Sequence, residues 1–352
     1  MKYQNQVKLG QNRVKLGQNK ISHLFLAESD LGSREQKVLK DVSEKLGFIP
    51  EKLLDRSPWW TSKEIGAFRY LGKFDGKKVI LKIQGVKPTT SEIYMIQAFS
   101  KANQSKILRP PLLYSYLPWN DEKRYEALIL EFIDGKPIVN SPTNEKELTE
   151  FFTLREEYKK NCVAFPWIEK PKETLSEEIK NNFDKWKQAS FKLYPTHIFR
   201  KEEDAGLIDN AISVLSENCK DVKREFQHGH FGPSDLIKTI DGQAVILSNL
   251  YWSWKPPFYD AVFGYHWFIY NLSKLKNVTP GFVKEQKSLW LAKINNLAKT
   301  DSEKKFLNLA FLERAAAGLN LDALSVDPKS PTAKYLVEST RSEIKRLIKL
   351  LP

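Results

Sequence analysis

The sequence predicts an α+β fold built in two parts: a small antiparallel sheet with one helix over residues 57–133, and a mainly helical remainder over 134–352. Two patterns carry that expectation. From 67 to 132, short strand-like runs are separated by turn residues; from 145 onward, apolar residues recur at helical spacing except in one strand-and-turn stretch at 226–260. A chain of 352 residues, 41% hydrophobic and 28% charged, is long enough and apolar enough to bury the cores of both parts.

The first 20 residues hold a tandem duplication, VKLGQNR at 7–13 and VKLGQNK at 14–20. Each copy has one glycine and only two apolar residues, too little for a coiled coil or a repeat fold, so a basic, disordered tail is expected over 1–20. Residues 21–56 read as an N-terminal helical extension that packs on the small part. Val38, Leu39, Val42 and Leu46 repeat near the helix period, and Gly47 fits as the stop. Ser57-Pro58 then punctuates the chain before Trp59-Trp60.

Residues 68–74 and 77–83 read as a hairpin around Asp75-Gly76. In its second strand Val79, Leu81 and Ile83 share one face, and Lys82 shares the other with Ile80. A lysine inside so apolar a run needs a partner. Ten residues on, Glu92 begins a helical stretch. Two more strands are expected at 112–117 and 125–132, joined by a turn at 120–123. Residues 145–225 are mostly helical in pattern, broken at Phe165-Pro166-Trp167, with acids and bases alternating as on a solvated face. Helices are expected again at 261–275, 283–299, 302–319 and 332–350, with His266 packed in the core of the first.

The exceptional stretch at 226–260 carries the chemistry. His228-Gly229-His230 opens a tight turn, Asp235 follows five residues later, 236–240 and 244–247 read as strands joined at Asp241-Gly242, and Ser248 ends the second strand. Polar residues in short turns between strands are where a rigid scaffold holds a site.

This stretch resembles the catalytic centre of the aminoglycoside phosphotransferase and choline kinase family. The family pattern is H-G-D-x-x-x-x-N, a hairpin, I-D-[FW] and, twelve residues after that Asp, the second residue of a Y-D pair. His228 and Gly229 agree with it, as does the closing Tyr259-Asp260, with Asp260 twelve residues after Ser248. Three chemical positions differ: His230 stands at the catalytic Asp, Asp235 at the metal-binding Asn, and Ser248 at the metal-binding Asp. The resemblance spans roughly residues 59–275 and implies a protein-kinase-like, two-lobed fold. It further implies that Lys82 holds nucleotide phosphates, that Glu92 orients this lysine, and that 128–138, LILEFIDGKPI, is the inter-lobe hinge. There the backbone of Glu131, Phe132 and Ile133 would face the adenine of ATP. The single glycine of Glu64-Ile65-Gly66-Ala67 stands where the family often has more.

In such kinases an Asp takes or orients the acceptor proton, while another Asp and an Asn hold the magnesium that bridges the phosphates. The family frame has two carboxylates at these three positions and this chain has only Asp235, so one negative charge is lost. A charge pair near 4 Å is worth about 4 kcal/mol at an effective dielectric of 20, a serious loss for holding a cation. Ser248 offers magnesium only a neutral hydroxyl, whereas His230 is a competent base if it reaches the acceptor. The expectation is a nucleotide-binding protein with phosphoryl transfer lost or strongly reduced, a pseudokinase-like binding or regulatory module with an unknown small-molecule or protein partner. The alternative is an ATP-dependent small-molecule O-phosphotransferase with His230 as base and Asp235 as metal ligand.

The formal net charge of +13 suits an anionic partner such as nucleotide phosphate. The lysines are spread along the whole chain, so a nucleic-acid-binding role rests on charge and the tail alone. Two distant cysteines, Cys162 and Cys219, give neither a disulfide framework nor a zinc pattern. No apolar run is long enough for a membrane span and no signal-peptide core opens the chain, so a cytoplasmic protein is expected.

Overall fold

The computed structural model of the chain describes residues 28–56, 66–193, 196–273, 275, 278–323, 326 and 329–351. The expectations for the tail at 1–20, for Ser57-Pro58 and Trp59-Trp60, and for Glu64-Ile65 lie outside these residues. The chain divides into two units, Met1–Lys101 with Arg109–Gly135 and Ala102–Leu108 with Lys136–Pro352, and each is described in turn.

In the first unit the hairpin forms as its turn chemistry dictates. Strands β2 (Ala67–Phe74) and β3 (Lys77–Gln84) pair antiparallel around Asp75 and Gly76, whose φ angles of 49° and 74° are those of a tight hairpin turn. With α1 (Glu28–Leu46), β1 (Ile49–Arg56), α2 (Glu92–Ala102), β4 (Leu113–Asn120) and β5 (Tyr125–Glu131), the sheet order is β1-β2-β3-β5-β4. Strand alternation sends Val79, Leu81 and Ile83 to one face, where they meet Tyr125, Ala127 and Ile129 and the α1 residues Leu39 and Val42. The opposite face buries Leu128 and Leu130 against Ile93 and Ile96 of α2. Each such aliphatic side chain contributes about 1.5–3 kcal/mol when fully buried, so both helices are held by the sheet rather than by propensity alone.

The expected helical extension over 21–56 is corrected from Ile49 onward. Residues Ile49–Arg56 are a strand, paired from Ile49↔Lys73 to Arg56↔Phe68 with two register irregularities. It is an edge strand with no buried residue, so it lacks the period-two signal that would have set it apart from the helical extension. A buried carboxylate ties α1 to the sheet: Glu35 accepts from Arg56 Nε at 2.7 Å and from the Tyr70 hydroxyl.

The second unit is mainly helical: α3 (Glu145–Asn161), α4 (Leu175–Leu193), α5 (Glu203–Asn218), α6 (Tyr259–Leu272), α7 (Pro280–Asn295), α8 (Asp301–Ala317) and α9 (Ala333–Leu350). Three of these starts follow capping rules. Asn144, Thr279 and Thr300 each accept a backbone N–H of the first turn, Thr300 in a reciprocal box with Glu303. Aromatic packing joins α3 to α7, with Phe151 5.1 Å from Trp290 and 5.5 Å from Phe231, ring centre to ring centre. His266 is buried on α6, in the core position expected of it.

Short strands punctuate this helical unit. Strands β6 (Glu225–Gln227) and β9 (Ser253–Lys255) pair antiparallel, and β7 (Leu236–Thr239) forms a hairpin with β8 (Ala244–Ile246). His228 follows β6, Asp235 precedes β7, Ser248 follows β8 by two residues, and Asp260 lies in the first turn of α6. The ends of four elements therefore carry the polar residues of the 226–260 stretch.

Candidate functional site

The first unit contributes a lysine and its partner. Lys82 stands on the α2 face of β3 and its Nζ donates to Glu92 Oε2, with only 16% of the lysine side chain and 3% of the glutamate side chain exposed. The start of α2 is fixed by its own cap: Ser91 Oγ accepts the Ile93 N–H at 3.2 Å and donates to Glu126 Oε2 at 2.8 Å. Glu126, fully buried on β5, also faces the Glu92 N–H at 3.4 Å. Burial pushes its carboxyl up, against the Ser91 and Glu92 hydrogen bonds that pull it down. Sequence reasoning passed over Glu126, although an acid next to the apolar run ALIL was a visible signal.

Glu131, Phe132 and Ile133 run on from the end of β5. The Glu131 carboxylate is committed to a two-pronged pair with Arg109 at 2.6 and 2.8 Å and accepts the Leu112 N–H at 3.1 Å, while its own backbone N–H donates to the Leu112 carbonyl at 2.9 Å. The Lys78 ammonium sits 3.8 Å over the Phe132 ring.

In the second unit the turn at 228–230 is held from beneath. The His228 N–H donates to the Tyr158 hydroxyl at 2.5 Å, and its fully buried ring stands edge-on to Trp252 at 4.8 Å. Burial pushes this imidazole down to about 3, so it is neutral at pH 7. Gly229 has φ +69°, and a side-chain carbon there would lie 2.3 Å from the Tyr251 carbonyl oxygen, so only glycine fits.

His230 emerges from the turn into aromatic walls. Its ring stacks on Tyr251 at 4.7 Å and packs on Phe263 at 4.5 Å and Trp267 at 5.7 Å. Its Nδ1 lies 2.8 Å from Asp235 Oδ2. The other Asp235 oxygen, Oδ1, accepts from Ser248 Oγ at 2.5 Å, and the Ser234 hydroxyl is 3.4 Å from Oδ2. The backbone fixes this geometry, because the Asp235 N–H donates to the Gly232 carbonyl at 2.9 Å and the Asp235 carbonyl accepts the Leu247 N–H at 2.8 Å. Ser248 adopts the left-handed conformation, φ 59° and ψ 41°, at a cost of about 1–2 kcal/mol for a residue with a side chain. Burial would raise the Asp235 carboxyl, yet the His230 ring, the Ser248 hydroxyl and the His228 ring together hold it below its ordinary value.

Asp260, in the first turn of α6, is fully buried. Its Oδ1 accepts from Arg155 Nη2 at 3.0 Å and from the Ala261 N–H at 2.8 Å, and its own N–H donates to Gln227 Oε1 at 3.0 Å. Burial opposes its charge, but Arg155 and Lys159 hold the carboxyl below its usual range. Sequence reasoning found Asp260 and missed Arg155 and Tyr158, which share a face of α3 with Phe151 at helical spacing. The six residues His228, Gly229, His230, Asp235, Ser248 and Asp260 thus belong to one unit, and Lys82, Glu92 and 131–133 to the other.

The donor set at the three family positions is poorer in charge than a pair of carboxylates, with Asp235 as its one acid. The one acid at the three family positions is already hydrogen-bonded through both oxygens, and among the described residues no group of three or more His, Cys, Asp or Glu could hold a metal ion.

No protein-family model matches the chain, and no curated protein matches it in sequence. Solved structures match it in shape. A thermostable mutant of aminoglycoside phosphotransferase APH(4)-Ia superposes with a TM-score of 0.57 at 13% identity, over 88% of this chain and 98% of its own. Amicoumacin kinase hAmiN, solved in complex with AMP-PNP, Ca2+ and Ami, gives 0.55 at 13% identity over 91% and 96%. Choline kinase from Cryptosporidium parvum Iowa II gives 0.53 at 12% over 90% and 96%. At these identities the likeness is one of fold: the chain has the α+β protein-kinase-like fold of small-molecule kinases, a sheet unit followed by a helical one. No helix among the described residues is long and apolar enough to cross a membrane.

Proposed function

We propose that the protein binds a nucleotide and has lost, or largely lost, metal-dependent phosphoryl transfer, so that it works as a binding or regulatory module toward a small-molecule or protein partner. The observation that carries this reading is the state of Asp235. Both of its oxygens accept hydrogen bonds, from His230 and from Ser248, at positions where a magnesium-dependent kinase needs free oxygen ligands. The nucleotide half of the reading is supported by the buried Lys82–Glu92 pair, a preorganised cation suited to phosphate oxygens. It is also supported by the AMP-PNP bound in amicoumacin kinase, which shares the fold.

A second reading has one observation in its favour. Asp235 accepts at His230 Nδ1, which sets the tautomer so that Nε2 of the neutral ring carries the lone pair, and three aromatic rings fix the ring plane. An imidazole so oriented is a general base, as an alcohol-phosphorylating enzyme would need. In that case Asp235 orients the base instead of holding a metal, and His230→Gln would abolish turnover.

The test is restoration of the family residues in one variant, His230→Asp with Asp235→Asn and Ser248→Asp. The native chain is expected to bind ATP equally with and without magnesium, and the variant to bind it about tenfold tighter with magnesium, a gain of about 1.4 kcal/mol. Magnesium strengthening the native chain as much as the variant would overturn the proposal.

A further inference from the structure

Helices α6, α7, α8 and α9 of the second unit enclose a cavity of about 40 Å³, room for about three water-sized groups. The polar groups around it are unevenly matched. Several acceptors are committed: the Glu343 carboxylate binds Arg346 at 2.8 and 3.1 Å, and the Tyr270 hydroxyl and Thr340 Oγ1 satisfy each other at 2.5 Å. Three nitrogens are left over. Arg314, 6% exposed, spends Nη2 on Asp322 at 2.9 Å, but its Nε has no partner. His266, 7% exposed, has no hydrogen bond at Nε2, the nearest acid being Asp322 at 3.5 Å. The Lys287 ammonium lines the same space and makes neither a hydrogen bond nor an ion pair with any described residue.

Of the charged side chains lining the cavity, Arg314 is paired with Asp322 and Glu343 with Arg346, whereas Lys287 has no ion pair among the described residues. Water could satisfy the spare N–H groups but would leave the Lys287 charge without a counter-ion in a poorly solvated place. Burial accordingly pushes the Lys287 ammonium below its ordinary value.

We propose that this cavity binds a small monovalent inorganic anion of halide size, held by Lys287 Nζ and Arg314 Nε. The cavity is too small for a nucleotide or its phosphate chain, so the site is separate from the nucleotide function proposed above. It is connected to His230 through one ring: the Arg314 guanidinium lies 5.2 Å over Phe263, which packs 4.5 Å from the His230 imidazole. An anion that fixes Arg314 therefore also stiffens a wall of His230.

The test uses the full chain and chloride as the probe, with sodium gluconate, whose anion is too large to enter, at the same ionic strength as the reference. Thermal unfolding in saturating chloride is expected to rise by about 3–6 °C over gluconate, as linkage gives for a ligand near a hundredfold above its Kd. The rise should vanish in Lys287→Met, which keeps the stem and removes the charge. Equal midpoints in the two salts would overturn the proposal, and so would a rise that persists in Lys287→Met. If that variant does not fold, crystals of the native chain soaked in bromide decide the matter. An anomalous peak in the cavity against Lys287 and Arg314 supports the site, and ordered water there without a peak overturns it.

Discussion

Mild acid should unfold this protein through its buried histidines, and one substitution isolates the effect. Burial holds the His228 imidazole down at about 3 and that of His266 at about 4, whereas both rings titrate near 6.5 in an unfolded chain. A folded-state pKa below the unfolded one means that the unfolded chain binds more protons in between. The stabilisation is therefore complete above about 6.5 and is lost as pH falls toward the folded values. At pH 5 each histidine has moved about 1.5 units below its unfolded pKa, which corresponds to about 2 kcal/mol apiece at 1.36 kcal/mol per unit.

Other groups add terms of both signs. Asp235 and Asp260, held low, stay charged through this window, while Glu126 and Glu313, pushed up by burial, oppose the histidines. A comparison with His228→Phe removes these shared terms, since a phenyl ring retains the edge contact with Trp252 and neither imidazole nitrogen has a hydrogen-bond partner among the described residues. Urea unfolding at pH 7 and pH 5 is the assay. The native chain should lose about 2 kcal/mol more than the variant between the two pH values. Equal losses would refute the assignment of His228 as a buried neutral ring.

Three further substitutions probe the framework by the same unfolding measurement. Lys82→Met leaves the nearly buried Glu92 carboxylate without its cation and should cost about 1–3 kcal/mol, most of it recovered when Glu92→Met is added. Gly229→Ala forces a side chain into a positive-φ turn against the Tyr251 carbonyl and should cost about 2–4 kcal/mol; a cost under about 0.5 kcal/mol would mean that the turn is not held as described. Arg155→Met strands the Asp260 charge and should cost about 3 kcal/mol, with Asp260→Asn on the same background restoring part of it.

What could be read in the chain was what local chemistry encodes. The Asp-Gly turn and the alternation of Val79, Leu81 and Ile83 defined the hairpin, and the surplus Lys82 in that run pointed to a partner that the fold supplies as Glu92. The spacing of His228, Ser248 and Asp260 marked the polar turns. Two kinds of feature were not legible. Strand β1 exists because β2 offers it an edge, and an exposed edge strand carries no burial pattern of its own. The pairing of Asp235 with both His230 and Ser248 depends on a left-handed Ser248 and on the 232–235 turn, which single-residue preferences do not encode. Arg155, Tyr158 and Glu126 escaped notice because their partners are supplied by distant parts of the chain.

The central claim, nucleotide binding without a working magnesium site, is tested most directly by calorimetric titration of ATP into the full chain with and without magnesium, beside the Lys82→Ala variant. The expected result is binding that requires Lys82 and has the same affinity in both conditions. Binding tightened tenfold or more by magnesium, or no binding at all, would contradict it.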